Sequence, residues 1–203
     1  AGPVGSGKTT SCIMELFRRS LEQEKAPDGY RYTRFAVVRQ TLKQLKDTVL
    51  KDIMKELEGL CTYRVTDNLI LVEFGDIRSE WLLIPLEDPE DQRRLLSMQL
   101  TGAWMSECIE MQVKLVAALS GRCGRYPSGN KGYCTWRGVI ADTNMPSEGS
   151  DWHKFMTDPA NTEWEIFLQP GGLEEHAENL MWLNQTAESV KLPLDSPERA
   201  AIG

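Results

Sequence analysis

The feature that most constrains the fold is the segment 2–9 at the start of the chain. It reads Gly-Pro-Val-Gly-Ser-Gly-Lys-Thr and satisfies the pattern G-x-x-x-x-G-K-[ST] at every fixed position. Apolar residues recur at helical spacing directly after it, at Ile13, Leu16, Phe17 and Leu21. A glycine-rich loop that opens a helix is suited to bind phosphate, because backbone N–H groups and the positive end of the helix dipole converge there.

The loop predicts a nucleotide site with Mg²⁺. Lys8 is expected to reach the β- and γ-phosphates, and the Thr9 hydroxyl is expected to bind the metal ion. The predicted nucleotide contacts are Gly2, Pro3, Val4, Gly5, Ser6, Gly7, Lys8, Thr9 and Thr10. The competing interpretation is a glycine-rich turn that precedes a lysine by chance. Because the chain starts one residue before the loop, the strand that normally feeds it and the adenine-contacting segment are expected to be missing.

Short β-prone runs alternate with helical patterns along the rest of the chain, which predicts an α/β fold with a parallel sheet. Two of the strands, at 69–74 and 80–85, are separated by Gly75 and Asp76 and should form an antiparallel hairpin. The other predicted elements are a strand at 35–38, helices at 42–57, 88–96 and 111–119, and strands at 100–105, 136–141 and 164–168.

Length and composition exclude several classes of protein. A chain of 203 residues suits one large domain, which we place at 1–170, with 171–203 as a linker. No run of about 18 apolar residues predicts a membrane span, and no secretory signal is visible. The five cysteines form no CxxC pair, and two histidines are too few to complete a zinc site. The net charge of −7 argues against a strongly basic nucleic-acid-coating domain, although a local basic patch stays open.

Hydrolysis of a nucleotide also needs a carboxylate that orients or activates water. Glu107 is the best candidate, because it ends a mostly apolar strand that begins at Leu100. Many P-loop enzymes place Asp immediately before this Glu to hold Mg²⁺ through water. Here the position is Ser106, whose neutral hydroxyl is expected to contact the metal shell only weakly. The alternative is that Glu107 is a solvated residue at the start of a helix.

A second polar cluster follows the predicted strand that ends at Ala141 and reads Asp-Thr-Asn. Ligand sites of α/β proteins form at such carboxyl ends of strands. Asn144 could therefore bond the γ-phosphate or its attacking water and report hydrolysis to the fold. An Asx turn ahead of Pro146 is the competing interpretation.

Taken together, these segments resemble the ATPase domain of bacteriophage large terminases. The central stretch 86–107 carries most of the likeness, and the supporting segments are 37–41, 121–127, 142–146 and 169–180. The resemblance implies a three-layer P-loop NTPase of the additional-strand class, with Walker A and Walker B motifs. It implies an ATP-driven motor that moves double-stranded DNA into a procapsid.

The same resemblance implies a ring of identical subunits on a portal protein in the cytoplasm of the infected bacterium, assisted by a small terminase subunit. Family members carry a nuclease domain after the ATPase, and no nuclease activity is expected here. An arginine of the family acts on the ATP of a neighbouring subunit, and Arg94 is preferred over Arg93 for this role. A solvated helix face balanced by Glu90 and Asp91 competes with it. Arg39 is a candidate sensor of nucleotide in its own subunit.

Two groups of basic residues could touch DNA phosphate or the next subunit, although a run of charge on a helix is usually a solvated face. The first group is Arg122, Arg125, Lys131 and Arg137, and the second is Lys43, Lys46, Lys51 and Lys55. Two other functions stay open: a helicase-like DNA-dependent ATPase, and a nucleotide-binding assembly module that hydrolyses ATP poorly. Ser106 favours the module and Glu107 argues against it.

Overall fold

The computed structural model describes residues 1–2, 7–87 and 89–168, except the side chains of Pro89 and Gln92. The described residues form two compact units: one within Thr9–Asp142, and one made of the described parts of Ala1–Lys8 and of the segment Thr143–Leu168. The helices are α1 (Lys8–Glu22), α2 (Leu42–Gln44), α3 (Leu50–Glu56), α4 (Pro89–Ser97), α5 (Lys114–Ser120) and α6 (Asp151–Thr157). The strands are β1 (Arg31–Arg39), β2 (Cys61–Arg64), β3 (Leu69–Phe74), β4 (Ile77–Pro85), β5 (Gly102–Met105) and β6 (Gly138–Ala141).

The strands form one six-stranded sheet in the order β2-β3-β4-β1-β5-β6. β4, β1, β5 and β6 run parallel, whereas β2 and β3 are antiparallel additions at one side. This mixed sheet with flanking helices confirms the predicted α/β fold and the hairpin of β3 and β4. No strand precedes α1 within the described residues.

The centre of the sheet is buried on both faces, which explains why β1 reads as a continuous apolar run. Phe35 and Val37 point into a core that also contains Ile13 and Leu16 of α1. The alternating residues of β1 point the other way and are buried as well, since Val38 is fully covered. On the flank of the sheet, α4 and α5 pack against each other, α4 contacts β4, and α5 contacts β5 and β6.

The helix predicted at 42–57 is present but is not uniform. α2 begins with a capping box, in which the Thr41 hydroxyl accepts from the Gln44 backbone and the Gln44 side chain accepts from the Thr41 backbone. A π-helical turn, Leu45–Val49, separates α2 from α3, and the Leu50 N–H donates to the Leu45 carbonyl five residues back. Leu45, Val49 and Ile53 are all buried.

Two glycines that pair between β5 and β6 allow the Trp136 ring to pack closely against both strands. Gly102 and Gly138 are partners in the parallel ladder, and the Trp136 ring lies over both. A Cβ added to Gly102 would lie 2.5 Å from the ring, and one added to Gly138 would lie 2.6 Å from it. Arg19 of α1 covers the same ring at 4.6 Å from its centroid. Glycine is therefore needed here for close approach rather than for a turn.

Most predicted elements are confirmed with shifted ends, and one is wrong. The helix predicted at 111–119 begins later, at Lys114, after a short 3₁₀ helix, Cys108–Glu110. The strand predicted at 164–168 does not exist: the segment has no regular secondary structure, and Phe167 is 72% exposed. β-prone composition alone produced that prediction, and no strand among the described residues pairs with the segment. β2, which pairs with β3, was not predicted.

The smaller unit contains α6, which sequence reasoning also missed. The Ser150 hydroxyl caps this helix by accepting from the His153 backbone N–H at 3.2 Å. Phe155 stacks edge-on against Trp152 at 5.6 Å and against Trp164 at 5.3 Å between ring centroids. Trp164 therefore packs against the helix instead of entering a sheet. Across the described residues, no helix combines the length and apolar character needed to cross a lipid bilayer.

Candidate functional site

The phosphate loop is described at its two ends. Gly2 is buried and Gly7 is exposed, whereas Pro3, Val4, Gly5 and Ser6 lie outside the described residues. Gly7 has φ of 77° and opens directly into α1. This left-handed conformation is one that glycine adopts without strain. The predicted order of loop and helix is thus confirmed, while the predicted phosphate contacts stay predictions.

Lys8 and Asn144, predicted independently, are brought together. The Lys8 ammonium donates to the Gly2 carbonyl at 2.8 Å and to the Asn144 side-chain oxygen at 3.2 Å. The Gly2 N–H donates in turn to the Thr143 carbonyl at 3.2 Å. The Thr143 hydroxyl is buried and has no hydrogen-bond partner in the described structure. The start of the loop is therefore bonded to the polar segment that follows β6.

Thr9 and Thr10 occupy the first turn of α1, and both are half-buried. The Thr10 hydroxyl donates to the Glu56 carboxylate, the last residue of α3, at 3.3 Å. A contact between phosphate and this hydroxyl would require that bond to break. The predicted role of Thr10 therefore fits its backbone N–H better than its side chain.

Glu107 follows the end of β5 in a backbone conformation that is unusual for its residue type. Ser106 is buried and continues the sheet, with its N–H donating to the Val38 carbonyl at 2.9 Å. Glu107 then has φ of 50° and ψ of 57°, in the left-handed region. Its side chain is half-buried and forms no hydrogen bond or ion pair with a described residue. A strained residue persists where its surroundings demand it, and such residues cluster at functional sites.

A polar network supports the turn that follows Glu107. The Glu110 N–H donates to the Glu107 carbonyl at 3.0 Å, which closes the turn. The Glu110 carboxylate accepts from the Gln44 amide at 3.1 Å and lies 3.6 Å from Arg39 Nε. That last distance suits an ion pair but is too long for a hydrogen bond, so this buried Nε lacks a hydrogen-bond partner among the described residues. The Arg39 guanidinium also donates to Thr48 at 2.6 Å.

This network bears on the prediction that Arg39 senses nucleotide. The Arg39 side chain is only 13% exposed and is engaged by Thr48 of the π-helical turn and by Glu110 of the 3₁₀ helix. Its position links the end of β1 to the turn that carries Glu107. Arg39 therefore stabilises the turn that carries Glu107 through its ion pair with Glu110. A direct contact between Arg39 and nucleotide stays a prediction.

Asp142 belongs to the polar cluster predicted after β6, but the sequence analysis assigned it no role of its own. It is 4% exposed, and its carboxylate accepts from the Trp104 indole N–H at 2.5 Å. Its own N–H donates to the Met105 carbonyl at 3.1 Å, and its carbonyl accepts from Cys108 at 2.9 Å. Asp142 thus lies beside Ser106 on the neighbouring strand. The available signal was an acid placed directly after a strand next to the one that carries Glu107.

The surroundings of Asp142 reach α1. Burial raises the pKa of the Cys12 thiol far above its usual value, and the Asp142 carboxylate raises it further. Cys12 is also part of the core cluster that contains Trp104. The negative charge of Asp142 therefore acts on the face of α1 that packs on the sheet.

Arg93 and Arg94 both extend from α4 into solvent. Leu95 beside them is fully buried and anchors the helix. Neither arginine forms an ion pair with a described residue, so neither charge is neutralised by pairing with Glu90 or Asp91. Both guanidinium groups are thus available to another molecule, and the structure does not prefer Arg94 over Arg93.

The basic groups considered for DNA contact differ in exposure. Lys131 stacks on Tyr32 at 4.7 Å from the ring centroid and donates to the Tyr126 hydroxyl at 3.3 Å. Arg122 has a buried Nε without a hydrogen-bond partner in the part of the chain that is described, whereas Arg125 is exposed. The exposed lysines of the helix are Lys43, Lys51 and Lys55, and Lys46 is half-buried. Arg137 packs its alkyl chain against the position where Gly124 would carry a Cβ.

Comparison with known proteins identifies the fold through structure alone. No protein-family model matches the sequence, and no curated protein matches it. The large terminase of a thermophilic bacteriophage superposes with a TM-score of 0.60 and 15% identity, over 79% of this chain and 36% of that one.

A second crystal form of the same terminase gives a TM-score of 0.54 and 15% identity, over 79% of this chain and 35% of that one. The same protein in complex with ADP gives 0.49 and 17%, over 69% of this chain and 31% of that one. This chain spans about a third of the length of the phage terminase it matches. The six-stranded sheet, the loop-to-helix start and the superposition lead to one conclusion: the chain has the fold of the corresponding part of a bacteriophage large terminase.

Proposed function

We propose that this chain hydrolyses ATP and thereby drives translocation of double-stranded viral DNA into a procapsid. The observation that carries the proposal is the geometry of Glu107, in a chain that also carries a complete phosphate-loop sequence. The left-handed backbone at the end of β5 costs stability and leaves the carboxylate without a described partner. A base that must take a proton from water needs that availability.

Each named residue has a distinct part in the reaction. The Lys8 ammonium compensates the charge of the β- and γ-phosphates, while loop N–H groups surround their oxygens. Glu107 orients the attacking water and accepts its proton. Asn144, bonded to Lys8 through its side-chain oxygen, is placed to follow the state of the γ-phosphate. Arg94 or Arg93, exposed on α4, serves the site of a neighbouring subunit, where such a group is worth about 10³–10⁵ in rate.

Mg²⁺, when bound, would neutralise phosphate charge. Mg²⁺ prefers oxygen ligands and usually takes at least one carboxylate from the protein. Thr9 and Ser106 offer only neutral hydroxyls, so these two residues fit the ion poorly by themselves. With the Asp142 carboxylate beside Ser106 the donor set fits, and Thr9, Ser106 and Asp142 are then the residues that would surround it.

The partners and location follow from the proposed motor. We propose that the chain acts in a ring of identical subunits at the portal protein, in the cytoplasm of the infected bacterium, with a small terminase subunit. The exposed lysines of α2 and α3 and Arg125 are the groups we propose for DNA phosphate contact. The fold as a whole is acidic, so this contact must be local.

ATP hydrolysis with and without double-stranded DNA tests the proposal. Glu107→Gln should retain nucleotide binding and lose turnover, whereas Lys8→Ala should lose tight binding because phosphate charge goes uncompensated. Glu58→Gln, which changes an exposed carboxylate of the same type, is the matched control and should behave as wild type. Preserved hydrolysis in Glu107→Gln would move the base elsewhere, and unchanged hydrolysis in Lys8→Ala would reject the nucleotide site.

The same assay separates the two alternatives. Binding without turnover in the wild type, even with DNA and assembled rings, favours a nucleotide-binding assembly module, to which the neutral Ser106 points. Turnover that accompanies strand separation favours a helicase-like enzyme. Stimulation by double-stranded DNA that also requires portal and procapsid favours the packaging motor.

A further inference from the structure

The residue before Glu107 cannot supply negative charge to the magnesium ion of a bound nucleotide. Ser106 is 2% exposed and carries no charge. A hydroxyl binds Mg²⁺ more weakly than a carboxylate does, because the ion is hard and strongly charged. The charge must therefore come from another residue near the end of β5.

Strand geometry places the Asp142 carboxylate on the same side of the sheet as Ser106. Side chains alternate along a strand, so Trp104 and Ser106 point to the same face. The Trp104 indole reaches the Asp142 carboxylate at 2.5 Å, which puts that carboxylate on this face as well. The bond from the Asp142 N–H to the Met105 carbonyl makes Asp142 the lateral neighbour of Ser106, and adjacent strands lie about 4.8 Å apart.

The first turns of α1 lie against the same face. Trp104 belongs to the core cluster formed with Cys12, Ile13 and Leu16. Thr9 and Cys12 are three residues apart on α1 and therefore share one side of the helix. The Trp104 side chain, whose indole N–H binds the Asp142 carboxylate, lies in the core cluster that contains Cys12, which places the carboxylate near this side of the helix. The Thr9 hydroxyl and the Asp142 carboxylate thus belong to the same cleft between helix and sheet.

We propose that Asp142 supplies the carboxylate that holds the magnesium ion of the bound nucleotide, directly or through a water molecule, in place of an acid at Ser106. The inference rests on the proposed function, since the ion accompanies ATP. Thr9 supplies the hydroxyl ligand. Trp104 is a positioning residue, because its indole N–H fixes one carboxylate oxygen and so orients the other.

This assignment can be tested without measuring hydrolysis, by measuring how much Mg²⁺ increases the affinity for a nucleotide. Affinity for ATP-γ-S is measured by calorimetry in Mg²⁺ and again in EDTA, and the ratio is the metal-dependent gain. Asp142→Asn should reduce the gain about 10- to 100-fold, the usual cost of disturbing a metal shell, and leave the affinity in EDTA unchanged. Asp67→Asn makes the same change at an exposed carboxylate between β2 and β3, on the other side of the sheet, and is the matched control that should keep the gain.

A swap of the two side chains makes the test specific. Asp142→Asn combined with Ser106→Asp returns a carboxylate to the neighbouring strand and should restore most of the lost gain. Trp104→Phe keeps the aromatic ring and removes only the indole N–H, so it should lower the gain severalfold. Because Trp104→Phe changes no charge, it also serves if Asp142→Asn fails to fold, as judged by circular dichroism.

The outcomes separate this inference from the proposed function. If the wild-type protein binds no ATP-γ-S in Mg²⁺ or in EDTA, both the proposed function and the assignment of Asp142 are overturned. If the wild-type protein shows a metal-dependent gain and Asp142→Asn retains it in full, or Asp67→Asn loses as much of it, the assignment of Asp142 is overturned and the proposed ATPase is unaffected. An unchanged gain in Trp104→Phe, where Asp142→Asn does not fold, overturns it likewise.

Discussion

Replacing Glu107 by glycine should stabilise the fold while removing activity. A residue with a Cβ in the left-handed region costs about 1–2 kcal/mol, and glycine removes that cost. Glycine also gives the unfolded chain more freedom, which costs about 0.4–1 kcal/mol. The Glu107 side chain makes no described bond that would be lost. The difference predicts that Glu107→Gly raises the free energy of unfolding by about 0–1.6 kcal/mol, with a central value of about 0.8 kcal/mol.

Urea unfolding followed by fluorescence measures this change, with ATP hydrolysis measured on the same samples. Glu107→Gln keeps the Cβ and the strain, so its stability should stay within about 0.5 kcal/mol of the wild type. Asn68→Gly is the matched control, since Asn68 has φ of 49° but belongs to a residue type that tolerates this region. It also loses the bond from the Tyr63 hydroxyl at 2.9 Å, so no gain is expected.

A loss of about 1 kcal/mol in Glu107→Gly would refute the reasoning, because that is the result expected for glycine at an ordinary helical position. Hydrolysis retained in Glu107→Gly would refute the catalytic role separately. The expected combination, a more stable and inactive protein, would show that the backbone strain at this position is maintained for function.

Three further outcomes are expected. Gly138→Ala should lower the free energy of unfolding by about 1–3 kcal/mol in a urea titration, because its Cβ would overlap Trp136; an unchanged midpoint would contradict the close approach. Arg94→Ala should reduce ATPase activity only in the assembled ring, and mixing it with Lys8→Ala subunits should restore part of it; no recovery at any ratio would argue against action between subunits. Burial raises the pKa of Cys123 to about 12, so iodoacetamide at about pH 8 should leave this thiol unmodified until the chain unfolds, as peptide mass spectrometry would show; rapid labelling of the folded chain would contradict its burial.

Local patterns predicted much of the fold, because each depends on residues close together in sequence. The loop at Gly2, the helix that follows it and the hairpin around Gly75 were all visible in this way. The acid after β5 was visible too, since an apolar run that ends in a carboxylate suits the end of a buried strand. From these features, Glu107 can be placed at the end of a buried strand without knowing which strands pair with β5.

The remaining features depend on contacts between distant residues. The bond between Trp104 and Asp142 spans 38 positions, and no local pattern indicates it. The left-handed backbone of Glu107 has no sequence signal, because glutamate shows no preference for that region. The strand wrongly predicted at 164–168 shows the converse: β-prone residues form a strand only where a partner strand exists, and Trp164 instead contacts Phe155.

The π-helical turn, Leu45–Val49, joins α2 and α3 into one continuous helix and is a place where the length of that helix can change. Such a turn fits an extra residue into a helix while the segments on either side keep their rotational phase. Deleting one residue here would return the turn to ordinary α-helix and leave Leu42 and Ile53 facing the core. A deletion elsewhere in the helix would rotate everything beyond it by about 100° and turn Ile53 towards solvent. Natural variants that differ in length should therefore do so at this turn.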